Sequence, residues 1–239
     1  MATLFISDLH LEDSRPEMTR VLLEFLASQA REAEALYILG DLFEYWIGDD
    51  AASPTAVKVA DGIRDLADSG VPCHFMHGNR DFLLGQHYAA TAGFSILPET
   101  IVVDLYGTPT LLLHGDTLCT DDAEYQAFRR QVRNENWQRA FLAQSVDARI
   151  AVAQQARDAS RQHTSTAAMD IMDVNEEAVQ AAFTAFQVRN MIHGHTHRPA
   201  VHQHQLDDGT TAERIVLADW YDRGSALRVT PDGAETIDL

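Results

Sequence analysis

The chain has 239 residues, of which 46% are hydrophobic, and it carries a formal net charge of −18. A chain of this length and apolar content can bury one large core, or a core and a small accessory domain. The acidic balance argues against a nucleic-acid partner, because binding a polyphosphate backbone requires a basic surface.

Three features indicate a cytoplasmic protein. No apolar stretch approaches the roughly 18 residues that a membrane span requires. The first residues, from Met1 to Asp8, have no basic region ahead of the apolar ones, so they predict a strand rather than a signal peptide. Cys73 and Cys119 lack CxxC spacing, which fits a reducing compartment better than a disulfide framework.

Apolar runs and amphipathic stripes alternate through the first half of the chain. Residues 4–6, 36–39 and 71–76 have the composition of buried strands, and residues 54–67 that of a helix. A stripe with helical spacing separates the first two strands and consists of Met18, Val21, Leu22, Phe25 and Leu26. These alternating elements predict an α/β fold.

The second half of the chain begins with a long helical stretch. Residues 120–187 are rich in Ala, Gln, Arg and Glu and show no strand pattern. Strands are predicted on either side of it, at residues 102–105, 110–113, 189–192, 215–218 and 226–229. The turn Pro231-Asp232-Gly233 closes a terminal hairpin. We therefore predict a core of residues 1–119 and 188–239 with a helical insertion over residues 120–187.

Charge is distributed unevenly between these parts. Residues 121–163 contain seven arginines against six acidic residues, although the chain as a whole is strongly acidic. A segment spared from that acidity suits contact with an anionic substrate or a lipid headgroup. A solvated helical face with paired charges would give the same pattern.

Metal-type side chains follow the predicted strands in order along the chain. They are Asp8, His10, Asp41, Asn79, His114, His195 and His197. Because the carboxyl ends of strands in open α/β folds line one crevice, we expect these residues to converge. Each short motif alone is weak, since Gly-Asp or Gly-Asn also ends a strand in a turn. The ordered set is what indicates a metal centre.

The ligand types predict the chemistry of that centre. Oxygen and imidazole ligands together suit Mn²⁺, Fe²⁺, Zn²⁺ or Mg²⁺ without selecting among them. Asp41 is the natural bridge between two cations, because each of its two oxygens can bind one. Two cations ~3.5–4 Å apart can clamp the attacking and leaving oxygens of a displacement at phosphorus. The sequence therefore predicts a two-metal hydrolase of a phosphoester or phosphoanhydride.

These motifs resemble the signature of the calcineurin-like metallophosphoesterase superfamily, and the match extends from Asp8 to His197. The resemblance implies an αββα sandwich with a helical cap insertion over the active site. Arg80 departs from the pattern, because the superfamily usually has a histidine there that assists the leaving group.

Residues 78–81, together with residues 39–50, 171–175 and 219–221, resemble one branch of that superfamily, which acts in lipid A biosynthesis. Enzymes of this branch hydrolyse the pyrophosphate of UDP-2,3-diacylglucosamine to UMP and 2,3-diacylglucosamine 1-phosphate, or lipid X. The resemblance implies two Mn²⁺ per chain, with Mg²⁺ or another divalent metal as the alternative, and a metal-activated water that attacks the α-phosphorus. It also implies peripheral attachment to the cytoplasmic face of the inner membrane, where the UDP-linked lipid substrate lies.

Carried over position by position, the resemblance implies a role for each site residue. One metal would be held by Asp8, His10, Asp41 and His197, and the second by Asp41, Asn79, His114 and His195. The implied catalytic residues are Asn79, Arg80, His114 and His195. The implied substrate contacts are Asn79, Arg80, Asp122, Ser160, Thr164 and His195. The family commonly has Asn and Lys where this chain has Thr164 and Ala167.

Two other interpretations remain open at this point. The chain could be another dinuclear-metal phosphodiesterase or phosphatase of the same superfamily, against which the helical insertion and Arg80 speak. It could also be a binding scaffold without catalysis, against which the complete set of ligand positions speaks. Cleavage of simple p-nitrophenyl phosphate esters would favour the first alternative, and metal binding without hydrolysis the second.

Overall fold

A computed structural model describes residues 2–166 and 173–239 of the chain, with side chains up to residue 159 and from residue 173 onward. Its strands are β1 (Thr3–Ile6), β2 (Ala35–Ile38), β3 (Cys73–Phe75), β4 (Phe94–Ile96), β5 (Thr100–Leu105), β6 (Thr108–Leu113), β7 (Asn190–His193), β8 (Ala200–Gln205), β9 (Thr211–Val216), β10 (Ser225–Thr230) and β11 (Gly233–Asp238). Its α-helices are α1 (Pro16–Ala27), α2 (Pro54–Asp68), α3 (Gln86–Ala92), α4 (Ala123–Val132), α5 (Glu135–Leu142), α6 (Val146–Thr166) and α7 (Glu176–Phe186).

The strands form two mixed sheets. The first has the order β11-β10-β1-β2-β3-β4, and the second has the order β5-β6-β7-β9-β8. Strands β1 to β4 run parallel to one another, as do β6, β7 and β9. Parallel neighbours need a crossover connection, which α1 provides between β1 and β2 and α2 between β2 and β3. Within each sheet, the parallel strands therefore end at the same edge.

Alternation along β1 shows how the layers are stacked. Leu4 and Ile6 belong to a core shared with α1, α2 and α3, whereas Phe5 between them belongs to a core shared with the second sheet. In the second sheet, β6 buries the consecutive residues 111–113, so both of its faces are covered. Helix α7 supplies Val179 and Phe183 to that second core. The predicted αββα sandwich is confirmed.

Helices α5 and α6 pack against the first core. Phe141 of α5 is buried there, and Ile150 and Ala153 of α6 pack against it. The described residues between 120 and 187 contain no strand, in agreement with the helical pattern of the sequence. No helix in the described part of the chain combines the length and the apolar character needed to cross a bilayer.

The structure confirms the elements predicted from apolar patterns and adds three others. Strand β3 is shorter than the predicted residues 71–76, and β9 begins at Thr211 rather than at residue 215. The sequence patterns do not predict α3, β4 or β8. Helix α3 has 7 residues and β4 has 3, which is too few to establish a period. Strand β8 is largely exposed and polar, so it lacks the apolar alternation of a half-buried strand.

The burial of Phe183 generates a test of the α7 layer. Phe183→Ala should lower the free energy of unfolding by about 3–5 kcal/mol, because it leaves a cavity in a packed core. Phe186→Ala in the same helix is the matched control, since Phe186 is 39% exposed and its truncation should cost less than about 1 kcal/mol. Urea unfolding of the two variants measures both values. Equal losses would contradict the packing of α7 described above.

Candidate metal centre

Backbone hydrogen bonds join the loop after β1 to the loop after β2, and the loop after β6 to the loop after β7. Asp8 N donates to Gly40 O at 3.1 Å, and His10 N donates to Asp41 O at 3.0 Å. In the second sheet, Gly194 N donates to the carbonyl of His114 at 2.8 Å. Side chains from distant parts of the sequence are thereby held at one edge of the sandwich.

Asp8, His10 and His197 form the first group. Nε2 of His197 lies 3.4 Å from Oδ1 of Asp8 and 3.3 Å from Nε2 of His10. One potential ligand atom from each of the three residues falls within 4.8 Å of the others. Asp8 and His10 are buried, and His197 is half-buried. Imidazole nitrogens and a carboxylate oxygen at this spacing can hold a divalent cation.

Asp41 stands between the first group and a second one. Its Oδ2 lies 3.8 Å from Nε2 of His10, and its Oδ1 lies 3.8 Å from Nε2 of His114. Oδ1 of Asn79 is 3.0 Å from that His114 nitrogen and 2.9 Å from Nδ1 of His195. All seven residues that the sequence nominates as ligands are thus assembled, and Asp41 faces both groups as a bridging ligand must.

The donor atoms fit a pair of divalent cations. Oδ1 of Asp8 is buried and meets no well-aligned hydrogen-bond donor within the described residues, as a carboxylate oxygen reserved for a cation does. The ring nitrogens of His10 and His197 face each other beside it. Each group combines hard oxygen with imidazole nitrogen, the mixture that suits Mn²⁺ and the other metals considered above.

The charges of the protein groups favour the metal-binding forms of Asp8 and His195, whereas they favour the protonated form of His114. Burial raises the pKa of Asp8, but His197 and His114 outweigh burial and bring this pKa below its usual range. Burial lowers the pKa of His114, but Asp41 and Asp8 outweigh burial and raise it. For His195, burial and the nearby His114 lower the pKa to about 4. Asp8 is thus held ionised and His195 neutral, which are the protonation states that bind cations.

The backbone at the ligands adopts a left-handed conformation. Seven non-glycine residues in the described chain have positive φ, and five of them are ligand candidates, with φ between 49° and 71°: Asp8, His10, Asp41, His195 and His197. This conformation costs about 1–3 kcal/mol for a residue with a side chain. Five such residues at one edge of the sandwich show that the direction of their side chains is maintained at a cost in backbone conformational energy.

Two glycines allow the loops to approach the ligand carboxylates. A Cβ on Gly78 would overlap Oδ1 of Asp41, and a Cβ on Gly194 would overlap Oδ2 of Asp8. Both carboxylates receive backbone donors in the space so left, because Arg80 N donates to Asp41 Oδ1 at 2.8 Å and His195 N donates to Asp8 Oδ2 at 2.8 Å. These donors keep the carboxylates oriented toward the imidazoles.

Arg80 lies at the rim of the metal centre. Besides the bond from its N–H to Asp41, its carbonyl accepts a hydrogen bond from Trp46 N at 3.1 Å. Its charge also contributes, after His10, to lowering the pKa of Glu44 to about 2 against the effect of burial. The guanidinium group therefore adds positive potential next to the ligand cluster.

The structure places the other predicted substrate contacts only in part. Asp122 is buried and caps α4, because its Oδ1 accepts a hydrogen bond from Tyr125 N at 2.9 Å. A contact between Asp122 and substrate stays a prediction. Ser160 and Thr164 belong to α6, but their side chains lie outside the described part of the chain, and Ala167 lies outside the described residues altogether.

One carboxylate that the sequence analysis leaves without a role ties two ligand loops together. Asp81 is fully buried, and its Oδ2 accepts a hydrogen bond from Leu42 N at 2.7 Å while its Oδ1 accepts one from Gly78 N at 2.9 Å. Burial and the neighbouring Asp41 raise its pKa to about 7. Asp81 belongs to the segment of residues 78–81 that carries the family resemblance, but that segment does not show which N–H groups Asp81 binds.

Two further carboxylates connect ligands to the helical insertion. Oε2 of Glu44 lies 3.0 Å from Nδ1 of His10. Oδ2 of Asp116, two residues after His114, accepts hydrogen bonds from the hydroxyl of Tyr125 at 2.8 Å and from Nε of Arg129 at 2.7 Å. No spacing rule in the sequence points to these contacts, because each one depends on how the loops and helices pack in the folded chain.

Comparison with known proteins agrees with the geometry of the site. The family profile of the calcineurin-like phosphoesterases matches residues 1–199. A protein of Xanthomonas axonopodis pv. citri strain 306 is 55% identical over 246 residues, covering 100% of this chain and 99% of its own length. A protein of Stenotrophomonas maltophilia strain K279a is 55% identical over 240 residues, covering 98% and 96%. One of Edwardsiella ictaluri strain 93-146 is 52% identical over 239 residues, covering 100% and 92%.

All three relatives bear the name UDP-2,3-diacylglucosamine hydrolase. The family profile spans the two ligand groups from Asp8 to His197, so the family assignment and the assembled site concern the same residues. By its sequence, and with a sandwich and metal-type cluster that agree, the chain belongs to the calcineurin-like phosphoesterase family.

Proposed function

We propose that the chain hydrolyses the pyrophosphate bond of UDP-2,3-diacylglucosamine, releasing UMP and 2,3-diacylglucosamine 1-phosphate. The position of Asp41 is the observation on which the proposal rests, because one of its carboxylate oxygens faces His10 and the other faces His114. Such a pair of groups suits displacement at phosphorus. The names of relatives that match along the full chain supply the substrate.

Two divalent cations, which we take to be Mn²⁺, complete the site. Asp8, His10, Asp41 and His197 would hold one, and Asp41, Asn79, His114 and His195 the other. When bound, the cations supply an activated water and neutralise charge on the phosphate oxygens. Mg²⁺ or another divalent metal is compatible with the same donor atoms.

Arg80 binds the substrate phosphates in this proposal. An arginine presents a planar fork of donors that matches the oxygens of a phosphate. Its backbone is fixed by Asp41 and Trp46, so the side chain starts from a defined point at the rim. A sugar phosphate is a good leaving group, so the position needs positive charge more than it needs a proton donor.

We propose that helices α4 to α6, within the predicted insertion of residues 120–187, form a cap over the active site, whereas α7 packs on the second core. Arg133, at the end of α4, donates to the carbonyl of Gly78 at 2.9 Å, directly before the ligand Asn79. Arg129 donates to Asp116, which follows the ligand His114. These contacts support a position of the helical segment next to the loops that carry the second ligand group.

The surface of the helical segment supports a lipid-linked substrate. Phe128, Leu142, Val146 and Val152 are exposed on it. Trp137 and Phe141, by contrast, pack against the first core. Exposed apolar side chains beside arginines suit acyl chains and the headgroups of a membrane surface. We therefore propose peripheral attachment to the cytoplasmic face of the inner membrane, with the segment as the attached part.

The function is tested with the metal-stripped protein and UDP-2,3-diacylglucosamine. Adding Mn²⁺ should restore release of UMP and the acylated sugar 1-phosphate, and the sample kept free of metal should release neither. Phosphorus NMR of the products measures both. If Mn²⁺ restores only the cleavage of p-nitrophenyl phosphate esters, the chain acts on other phosphoesters and the proposed substrate is wrong.

Arg80→Ala tests the phosphate contact separately. We expect turnover to fall by about 10²–10³-fold, because a donor to the charge that develops in the transition state is lost. Mn²⁺ binding, measured by calorimetry, should persist. Arg20→Ala is the matched control, because Arg20 is exposed on α1. Unchanged turnover in the Arg80 variant contradicts the proposed role.

A further inference from the structure

Glu44 occupies a position that the proposed function does not explain. It lies in the loop after β2, its side chain is 11% exposed, and its N–H donates to the carbonyl of Leu11 at 3.2 Å. That bond fastens it to the loop that carries His10. The carboxylate is therefore inside the protein and close to a ligand candidate without being one itself.

The two oxygens of Glu44 have different partners. Oε2 lies 3.0 Å from Nδ1 of His10, the ring nitrogen that points away from the metal centre. Oε1 lies 3.1 Å from Nη2 of Arg157, in helix α6. One carboxylate thus joins a ligand of the first group to the helical insertion.

Arg157 is itself held on more than one side. The same Nη2 atom lies 3.5 Å from Oε2 of Glu12, and the guanidinium carbon lies 5.3 Å above the ring of Tyr45. These contacts fix the guanidinium between the loops after β1 and β2. Arg157 is therefore placed to hold the carboxylate of Glu44 in one position.

The other face of His10 is also supported. Its ring stacks on Tyr221 with centroids 5.2 Å apart and an interplanar angle of 7°. Stacking fixes the plane of the ring but leaves open which nitrogen carries the proton. A carboxylate oxygen 3.0 Å from Nδ1 favours the tautomer with the proton on that nitrogen, because it attracts the positive N–H end, and this tautomer leaves Nε2 as the free donor atom.

We propose that Glu44 is a positioning residue that holds His10 with Nε2 turned toward the metal centre and makes this orientation depend on Arg157 of the insertion. The inference rests on the metal centre of the proposed function. It makes the single contact between Glu44 and Arg157 a determinant of metal affinity, although α6 contributes no ligand to either group among the described residues.

The first test is the effect of Glu44 on His10 and on Mn²⁺. In Glu44→Leu, which keeps the bulk and removes the acceptor, Mn²⁺ affinity should fall by about 10–100-fold. Glu44→Gln keeps an acceptor for Nδ1–H and should lose less. Nitrogen NMR of the metal-free protein should show His10 protonated at Nδ1 in the original chain and a mixture of tautomers in Glu44→Leu. Original Mn²⁺ affinity in a folded Glu44→Leu variant overturns the proposal.

The second test is a double-mutant cycle between Glu44 and Arg157. Arg157→Met should change the Mn²⁺ affinity by about threefold or more in the original chain and leave it unchanged in the Glu44→Leu background. Arg157→Lys, which keeps a cation for Glu44, should preserve the original affinity. Equal effects of Arg157→Met in both backgrounds overturn the coupling.

The matched control loosens the same helix at another point. Arg149 of α6 donates to both oxygens of Asp50. This pair is not part of the path of contacts that runs from Arg157 through Glu44 to His10. Asp50→Asn weakens that contact and should leave Mn²⁺ affinity unchanged. A loss as large as in Glu44→Leu would assign the effect to the insertion as a whole and overturn the role of Glu44.

These measurements separate the inference from the proposed function. Mn²⁺ titration and the His10 tautomer are read without any substrate, so they hold even if UDP-2,3-diacylglucosamine is not hydrolysed. Thermal unfolding of each metal-free variant identifies any that fail to fold. If the chain hydrolyses the substrate but its Mn²⁺ affinity does not change when Glu44 is replaced, the proposed function stands and only the inference about Glu44 is wrong.

Discussion

Mutual compensation between buried carboxylates and imidazoles is the interaction on which the rest of the structure depends. An ionised carboxylate taken out of water costs several kcal/mol unless charges and hydrogen bonds of the protein replace the lost solvent. Asp8 and Asp41 are almost fully buried, and each receives a backbone N–H as well as imidazole neighbours. The loops must therefore approach one another closely, which explains the left-handed ligand residues and the need for glycine at 78 and 194. The sandwich supplies the rigid frame that holds this arrangement.

The ligand set and most of the fold could be predicted from the sequence because both rest on local patterns. A ligand that follows a short apolar run is recognisable in one dimension, and parallel strands bring such positions together in three. The short elements α3 and β4 were not predicted, because they contain too few residues to show a helical or strand period. The polar strand β8 escaped because its pairing with β9, rather than its composition, makes it a strand.

The supporting carboxylates could not be predicted because their function lies in their partners. Glu44 and Asp81 both stand inside segments that carry the family resemblance, yet the sequence does not show that one meets His10 and the other two backbone N–H groups. Asp122 illustrates the converse case. Its position suggests substrate recognition, and the structure shows that it also caps α4. The type of a residue limits the roles that its side chain can have. Its contacts in the folded protein determine which of those roles it has.

Arginines join helices α4 and α6 to the loops after β1, β2, β3 and β6, in addition to the apolar contacts of α5 and α6 with the first core. Arg149 is 2% exposed and donates to Asp50 and to the carbonyl of Ile47. A buried guanidinium without these acceptors would be costly, so the pairing specifies one register of α6 over the loop after β2. The same loop carries Glu44 and Trp46, which contact His10 and the backbone of Arg80. The helices that would meet the lipid are thus joined through one short loop to the residues that would meet the metal and the phosphate.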